Sequence, residues 1–303
     1  MNQNNNEEME FLKNYDAGKY ERPSATVDML IFTIGEKKKS YRKLPQKNLE
    51  LLMVRRGDHP YKDMWAIPGG FVNIDENLID SAKRELLEET GLRNIYMEQL
   101  YTWGDVGRDP RTRVISTSYM ALVPKDKLDF KAGDDAADAK LFTAKLVELY
   151  SDEKEDRIDT VYELILRNEE SDITLTSKIL SVKRMVGASV EENLEIIESQ
   201  LAFDHSKIIA YAINRLRNKV EYTTIAFNMI GEKFTIGELQ EVYSALLDQE
   251  FSSPNFRRKM LPLLEELETT ETKYGHRPAK HYKLSKEAAF RPFIIPDNKE
   301  DED

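Results

Sequence analysis

The chain has 303 residues, enough for about two domains of ordinary size, and 40% of it is apolar, enough to bury a real core. Lys and Arg total 44 against 55 Asp and Glu, a formal charge of −11, so a uniformly basic nucleic-acid coat is excluded and a local basic patch is not. Cysteine is absent, which excludes disulfides, thiolate zinc sites, iron–sulfur clusters and cysteine nucleophiles.

The first residues, 1–21, form a polar segment unlike a basic-then-apolar leader, and no run approaches the apolar length of a membrane span. The default compartment is the cytoplasm. The stretch ATVDMLIFTI, residues 25–34, is β-rich and nearly all apolar, so it reads as a buried strand. A basic loop follows at 36–47, then a second strand, LELLMVRR, from Leu49. Gly57-Asp58-His59-Pro60 is loop chemistry. A helix is expected from about Asn77 to Thr90, ended by Gly91. Strands are expected at 95–103 and 113–122, with a loop rich in Gly, Asp, Pro and Arg between them. This pattern suggests a compact α/β or α+β domain up to about Phe142.

In the middle of the chain, 160–167 and 173–183 alternate apolar and polar residues around a polar break, which reads as a β-hairpin. Ser189-x-x-Glu192 resembles a capping box that opens a helix through about Gln200. This hairpin and helix are either an elaboration of the first domain or a dimer arm. From His205 the pattern turns helical, with Ile208, Ile209, Ala212, Ile213 and Leu216 on one stripe. Thr235 is placed to cap a second helix, and Ser253-Pro254 to open a third with Ser as the cap. Residues 268–284 read as a two-stranded hairpin around Tyr274-Gly275. Three helices and then a hairpin is the order of a winged helix.

The chemistry is concentrated between Gly70 and Leu92. Glu85, Glu88 and Glu89 lie at i, i+3 and i+4, so a helix puts all three carboxylates on one face. Three such charges repel one another, and a hard divalent cation such as Mg²⁺ or Mn²⁺ would offset that while sharing its oxygen ligands with phosphate. Arg84 lies beside them with Glu76 in reach, and Gly70 offers a backbone carbonyl. A solvated acidic helix face is the plain alternative.

The pattern Gly70-x5-Glu76-x7-Arg84-Glu85-Leu86-x-Glu88-Glu89-x-Gly91-Leu92 resembles the Nudix box and fills every position of it. The resemblance implies an α+β fold, a mixed β-sheet in an α/β/α sandwich. It also implies Mg²⁺- or Mn²⁺-dependent hydrolysis of a nucleoside diphosphate linked to another group. Carried over by position, Glu85, Glu88, Glu89 and the Gly70 carbonyl are the implied metal ligands, and Arg84 and Glu76 the orienting pair of the catalytic set. Glu88, Glu89 and the Asp134-Asp135 loop are candidates for the general base. Gly107-Arg108-Asp109-Pro110-Arg111-Thr112-Arg113 resembles a loop of Nudix domains that act on ADP-ribose. It marks Arg108, Arg111 and Arg113, with Arg56 flanking the same site, as phosphate-binding arginines. An ordinary turn with solvated arginines is the alternative. Trp65 and Trp103 are either core residues or platforms for an adenine, and His59 reads as structural.

Asn255, Arg257, Arg258 and Lys259 fall at the start of the third helix, with Lys273, Arg277 and Lys280 on the hairpin. Eight basic residues oppose four acidic ones between Pro254 and Lys286, a local reversal of sign that suits double-stranded DNA. A winged helix used only for dimerisation is the alternative. Leu201-Ala202-Phe203-Asp204-His205, Phe234-Thr235, Asn255-Phe256-Arg257-Arg258-Lys259 and Arg277-Pro278 together are similar to the C-terminal part of Nudix-related transcriptional regulators. That family implies a homodimer that senses ADP-ribose or a related metabolite, in some members a sugar, and binds a DNA operator. The expected division is a Nudix domain over 22–204 with an elaboration at about 145–200, a winged helix over 205–290 and an acidic tail over 291–303. Three functions stay open: a hydrolase joined to a DNA-binding domain, a non-catalytic sensor, and a housekeeping pyrophosphatase whose winged helix serves assembly.

Overall fold

The computed structural model describes residues 3–36, 46–128, 130, 136–271 and 279–290. Its elements in chain order are α1 (Gln3–Asn14), β1 (Ser24–Glu36), β2 (Lys47–Arg56), β3 (Trp65–Ala66), β4 (Gly69–Phe71), α2 (Leu78–Thr90), β5 (Tyr96–Trp103) and β6 (Val114–Leu122). There follow β7 (Ala136–Lys154), β8 (Arg157–Asn168), β9 (Ile173–Val186), β10 (Ser189–Ser199), α3 (His205–Tyr222), α4 (Ile236–Leu247), α5 (Ser253–Met260), β11 (Leu264–Glu271), β12 (Ala279–Leu284) and α6 (Lys286–Phe290).

Strand β1 is apolar on both sides because both faces of its sheet are covered. Val27, Met29 and Ile31 pack with Ala82 and Leu86 of α2, whereas Leu30, Phe32 and Ile34 face a second core that includes α3 and α4. This makes an α/β/α arrangement around a mixed sheet. The sheet order is β10-β9-β8-β7-β2-β1-β6-β5, with β3 beside β2 and β4 beside β1. Only the β1–β6 pairing in it is parallel among the described residues. Helix α2 starts one residue after the expected Asn77 and ends at Gly91, whose φ of 68° is the left-handed conformation that glycine adopts without strain.

The middle of the chain departs from expectation. The expected hairpin is present as β8 and β9, but β7 is 19 residues long and carries the main sheet directly into it. The expected helix at 189–200 is instead strand β10. Gly187, at φ 63°, closes a two-residue turn that fixes Ser189 opposite Val186. Glu192 then accepts a hydrogen bond from Ser181 Oγ across the strands at 2.5 Å instead of closing a capping box. Leu194 and Ile196, two apart, face inward on one side of the strand. A period of two thus prevailed over a local capping signature, because β9 offered a free edge. The N-terminal segment forms an exposed helix, α1, where no element was expected.

The winged-helix elements form as expected. Thr235 caps α4 in a full capping box with Glu238. The cap of α5 is Ser252, one residue before the expected Ser253. Strands β11 and β12 pair antiparallel, and Phe234 adds a bridge to Tyr282. Helix α3 packs on β9, β10 and α4, and its buried residues Ile208, Ile209, Ala212, Ile213, Leu216 and Val220 join one hydrophobic core with the sheet and with Leu239, Val242 and Tyr243 of α4.

Candidate functional site

A cleft of about 740 Å³ opens beside α2, between the ends of β1 and β2, the 104–113 loop and the start of α3. Glu85, Glu88 and Glu89 line it from α2, and Gly70 lines it beside Glu85. A Cβ at Gly70 would lie 2.2 Å from Glu85 Oε1, so only glycine lets the carboxylate approach this strand.

Arg84 organises the acidic face. Its guanidinium donates to Glu76 at 2.8 and 3.1 Å, to Glu85 at 2.7 Å, to Glu88 at 3.2 Å and to the Phe71 carbonyl at 3.1 Å. Those bonds clamp the 71–76 loop against α2 and hold the Glu76 carboxyl down at about 2. Burial pushes the Glu85 carboxyl up despite the bond from Arg84. Glu89 is pushed up to about 7, by burial first and then by the charges of Glu85 and Glu88. Its Oε2 is buried with no hydrogen-bond partner. Among the described residues no three acidic or histidine side chains converge on one point. The donor chemistry still fits a hard cation: several carboxylate oxygens on one face, one of them buried and unsatisfied.

The expected arginines divide. Arg56, Arg108 and Arg111 line the cleft, whereas Arg113 is outside its lining and donates to the Asp105 carbonyl at 2.9 Å. Arg56 donates to the Pro60 carbonyl at 2.7 Å and lies over the Phe203 ring at 4.9 Å. Arg111 is bidentate to Asp109, at 3.0 and 2.7 Å, with the rings of Phe71 and Phe203 at 5.6 and 6.0 Å. Arg108, expected either to bind phosphate or to be solvated in a turn, is buried at the cleft wall and not solvated. Its side chain is 7% exposed, bidentate to Asp204 at 3.0 and 2.8 Å and 3.6 Å from Asp28. A buried guanidinium goes to the nearest carboxylates, and here the fold supplies two.

Both tryptophans belong to the core. Trp65 packs edge-on against Phe142, and Trp103 donates its indole N–H to Ser118 Oγ at 2.6 Å. The aromatic residues of the cleft are Phe71 and Phe203. His59 lines the cleft as well, and Asp134-Asp135 lie outside the described residues.

Three participants were missed from sequence. Asp28 accepts from Ser116 Oγ at 2.6 Å, and its one legible signal was an acidic residue inside an apolar strand. His205 accepts the Ile67 N–H on Nδ1 at 2.8 Å, and burial pushes its imidazole down. Phe203, at φ 53°, holds a left-handed conformation costly for an aromatic residue, with Tyr61 edge-on at 4.7 Å. Both His205 and Phe203 belong to a motif read only as a likeness.

At the other end, Asn255, Arg257 and Arg258 of α5 are exposed, while Phe256 and Met260 anchor the helix below them. Lys259 is half-buried. Arg257 reaches the Tyr282 hydroxyl at 3.4 Å, and Lys280 pairs with Glu266 at 2.6 Å. Lys273 and Arg277 lie outside the described residues. No helix among the described residues is long and apolar enough to cross a membrane.

Comparison with known proteins finds two family models, one towards each end of the chain. The NUDIX domain family matches residues 44–164, and the NrtR DNA-binding winged helix domain family matches residues 226–284. The ADPR responsive transcriptional repressor NtrR of Acinetobacter baylyi is 30% identical over 281 residues, 92% of this chain and 88% of that protein. A MutT/nudix family protein from Enterococcus faecalis superposes with a TM-score of 0.65 at 30% identity, covering 92% of this chain and 93% of the other. Shewanella oneidensis NrtR, crystallised with a 27mer DNA, gives a TM-score of 0.57 at 25% identity over 89% of this chain and 98% of the other. With an unbroken carboxylate motif at one end and a winged helix at the other, the chain belongs to the NrtR family of transcriptional regulators.

Proposed function

We propose that this protein is a metabolite-responsive transcriptional regulator whose cleft binds, and with Mg²⁺ or Mn²⁺ hydrolyses, ADP-ribose or a closely related nucleoside diphosphate. The observation that carries the reading is the cleft itself. It joins a carboxylate face, arginines and two aromatic rings in one space that ends at the first residues of α3. The responsiveness of the Acinetobacter repressor to ADPR supports the choice of ligand, and the DNA complex of the Shewanella protein supports the choice of partner.

In this reading Glu85, Glu88, Glu89 and the Gly70 carbonyl hold the cation. When bound, the metal neutralises the diphosphate and acidifies a water for attack at phosphorus. Arg84, fixed by Glu76, holds the carboxylate face in register with the 71–76 loop. Arg111 supplies cationic hydrogen-bond donors to the phosphates, and Phe71 and Phe203 offer flat apolar faces to the base. Glu88 and Glu89 serve as candidate bases along with Asp134 or Asp135. The exposed Asn255, Arg257 and Arg258 of α5 face the DNA, with Lys259 and the hairpin residues Lys273, Arg277 and Lys280 on the flanking phosphates. The functional unit is a homodimer in the cytoplasm, divided near residue 204 as the sequence suggests.

The test is AMP release from ADP-ribose with Mg²⁺, wild type beside Glu88→Gln, together with operator binding with and without ADP-ribose. Turnover in the wild type alone, and an operator affinity that changes with ADP-ribose, are expected. Ligand-dependent DNA binding without turnover would instead establish the non-catalytic sensor, and neither effect would refute the choice of ligand.

A further inference from the structure

The 104–113 loop touches both the cleft and α3. It lines the cleft with Arg108, Asp109 and Arg111. It also grips the start of α3 at two points: the Asp105 carboxylate accepts from Lys207, and Arg108 is bidentate to Asp204. Lys207 is largely buried, with its ammonium 5.4 Å from the Trp103 ring at the end of β5.

Asp204 occupies the N-cap position of α3, where an aspartate ordinarily accepts a helix N–H. Here its side chain makes no capping bond, because both oxygens are committed to Arg108. The start of this helix is therefore fixed by the loop and not by its own cap. From there α3 runs 18 residues through the shared core, packs on α4, and delivers the chain to the winged-helix segment that begins at residue 226. A packed helix of that length is a rigid element that can carry a displacement from one end to the other. Immediately before the anchor, Phe203 holds its left-handed backbone with its ring in the cleft.

We propose that the 104–113 loop couples occupancy of the cleft to the winged helix, with the Asp105–Lys207 and Arg108–Asp204 ion pairs as the joints that carry a shift of the loop to α3. The proposal rests on the reading that the cleft takes a nucleoside diphosphate and the winged helix takes DNA. A diphosphate drawn to Arg111 interacts with one position of the loop more strongly than with another, and that difference is what biases α3.

The experiment uses the full-length protein and a duplex selected on the wild type from a random DNA library. The probe is α,β-methylene ADP-ribose with Mg²⁺, whose bridging carbon resists hydrolysis. In the wild type the analogue is expected to change duplex Kd by about tenfold. Asp204→Asn is the direct variant, but it opens a buried ion pair and risks misfolding. Asp105→Asn and Lys207→Gln are therefore the informative ones, since Asp105 is 65% exposed. Each is expected to bind the analogue within about threefold of wild type while its duplex Kd changes less than about twofold on ligand addition. A variant that keeps the full wild-type response overturns the coupling role of the loop, and so does one that loses analogue binding. A wild type that binds neither analogue nor duplex overturns the functional reading itself, a separate outcome from a wild type that responds beside variants that respond equally.

Discussion

Replacing Arg108 by Met tests the buried charge cluster in isolation from ligand. The guanidinium is bidentate to Asp204 at 3.0 and 2.8 Å, with Asp28 at 3.6 Å, and all three side chains are about a tenth exposed or less. Methionine keeps most of the volume but leaves two carboxylates in a poorly solvated site, facing a histidine whose imidazole burial pushes towards the neutral form. Removing one partner of a buried ion pair costs about 3–5 kcal/mol. That is a large share of the roughly 5–15 kcal/mol that holds a domain together. Urea unfolding, followed by the fluorescence of the two buried tryptophans, reads the loss as a lower midpoint. Arg108→Met/Asp204→Leu replaces the bidentate pair by apolar groups and is expected to recover more than half of it. A single-variant loss below about 1 kcal/mol, or a double variant that costs the sum of the two singles, would refute the assignment of this cluster as a coupled structural strut.

Three further outcomes are expected. In metal-free protein, Glu89 lies near 7 folded against 4.5 ordinarily, so it lends stability below pH 4.5 that is lost as pH rises through about 7. The loss is at most about 3 kcal/mol and is absent in Glu89→Gln, as thermal denaturation across that range would show. Thr235→Ala removes the α4 cap and its reciprocal bond with Glu238, for a loss of about 1 kcal/mol in urea unfolding. Arg257→Ala is expected to leave ligand binding in the cleft unchanged while weakening duplex binding, with a salt dependence of log Kd shallower by about one; an unchanged salt slope would remove Arg257 from the DNA face.

What could be read along the chain were the features whose causes are local. The carboxylate helix is legible because a 3.6-residue period and a fixed spacing put Glu85, Glu88 and Glu89 on one face whatever surrounds them. Gly91 stops the helix through its own backbone freedom, and Thr235 with Glu238 caps α4 within four residues. The apolar β1 reads as a buried strand, and three helices from His205 followed by a hairpin give the order of a winged helix.

Tertiary structure decided whatever depends on a partner distant in sequence. Residues 189–199 became a strand because β9 presented an edge, a fact no window around Ser189 contains. Arg108 lines the cleft as a buried residue because Asp204, 96 positions away, arrives beside it and takes its guanidinium. Trp65 and Trp103 went to the core while Phe71 and Phe203 faced the cleft, since burial follows where the sheet closes and not the size of the ring. The link between cleft and α3 arises the same way: Asp105 and Lys207 meet only once β5 and α3 are packed together. The sequence by itself determined the chemistry that this protein carries, because spacing along a helix is a local property. The packing of α3 against the sheet decided which residues of the 104–113 loop meet that helix, because long-range ion pairs exist only in the folded chain.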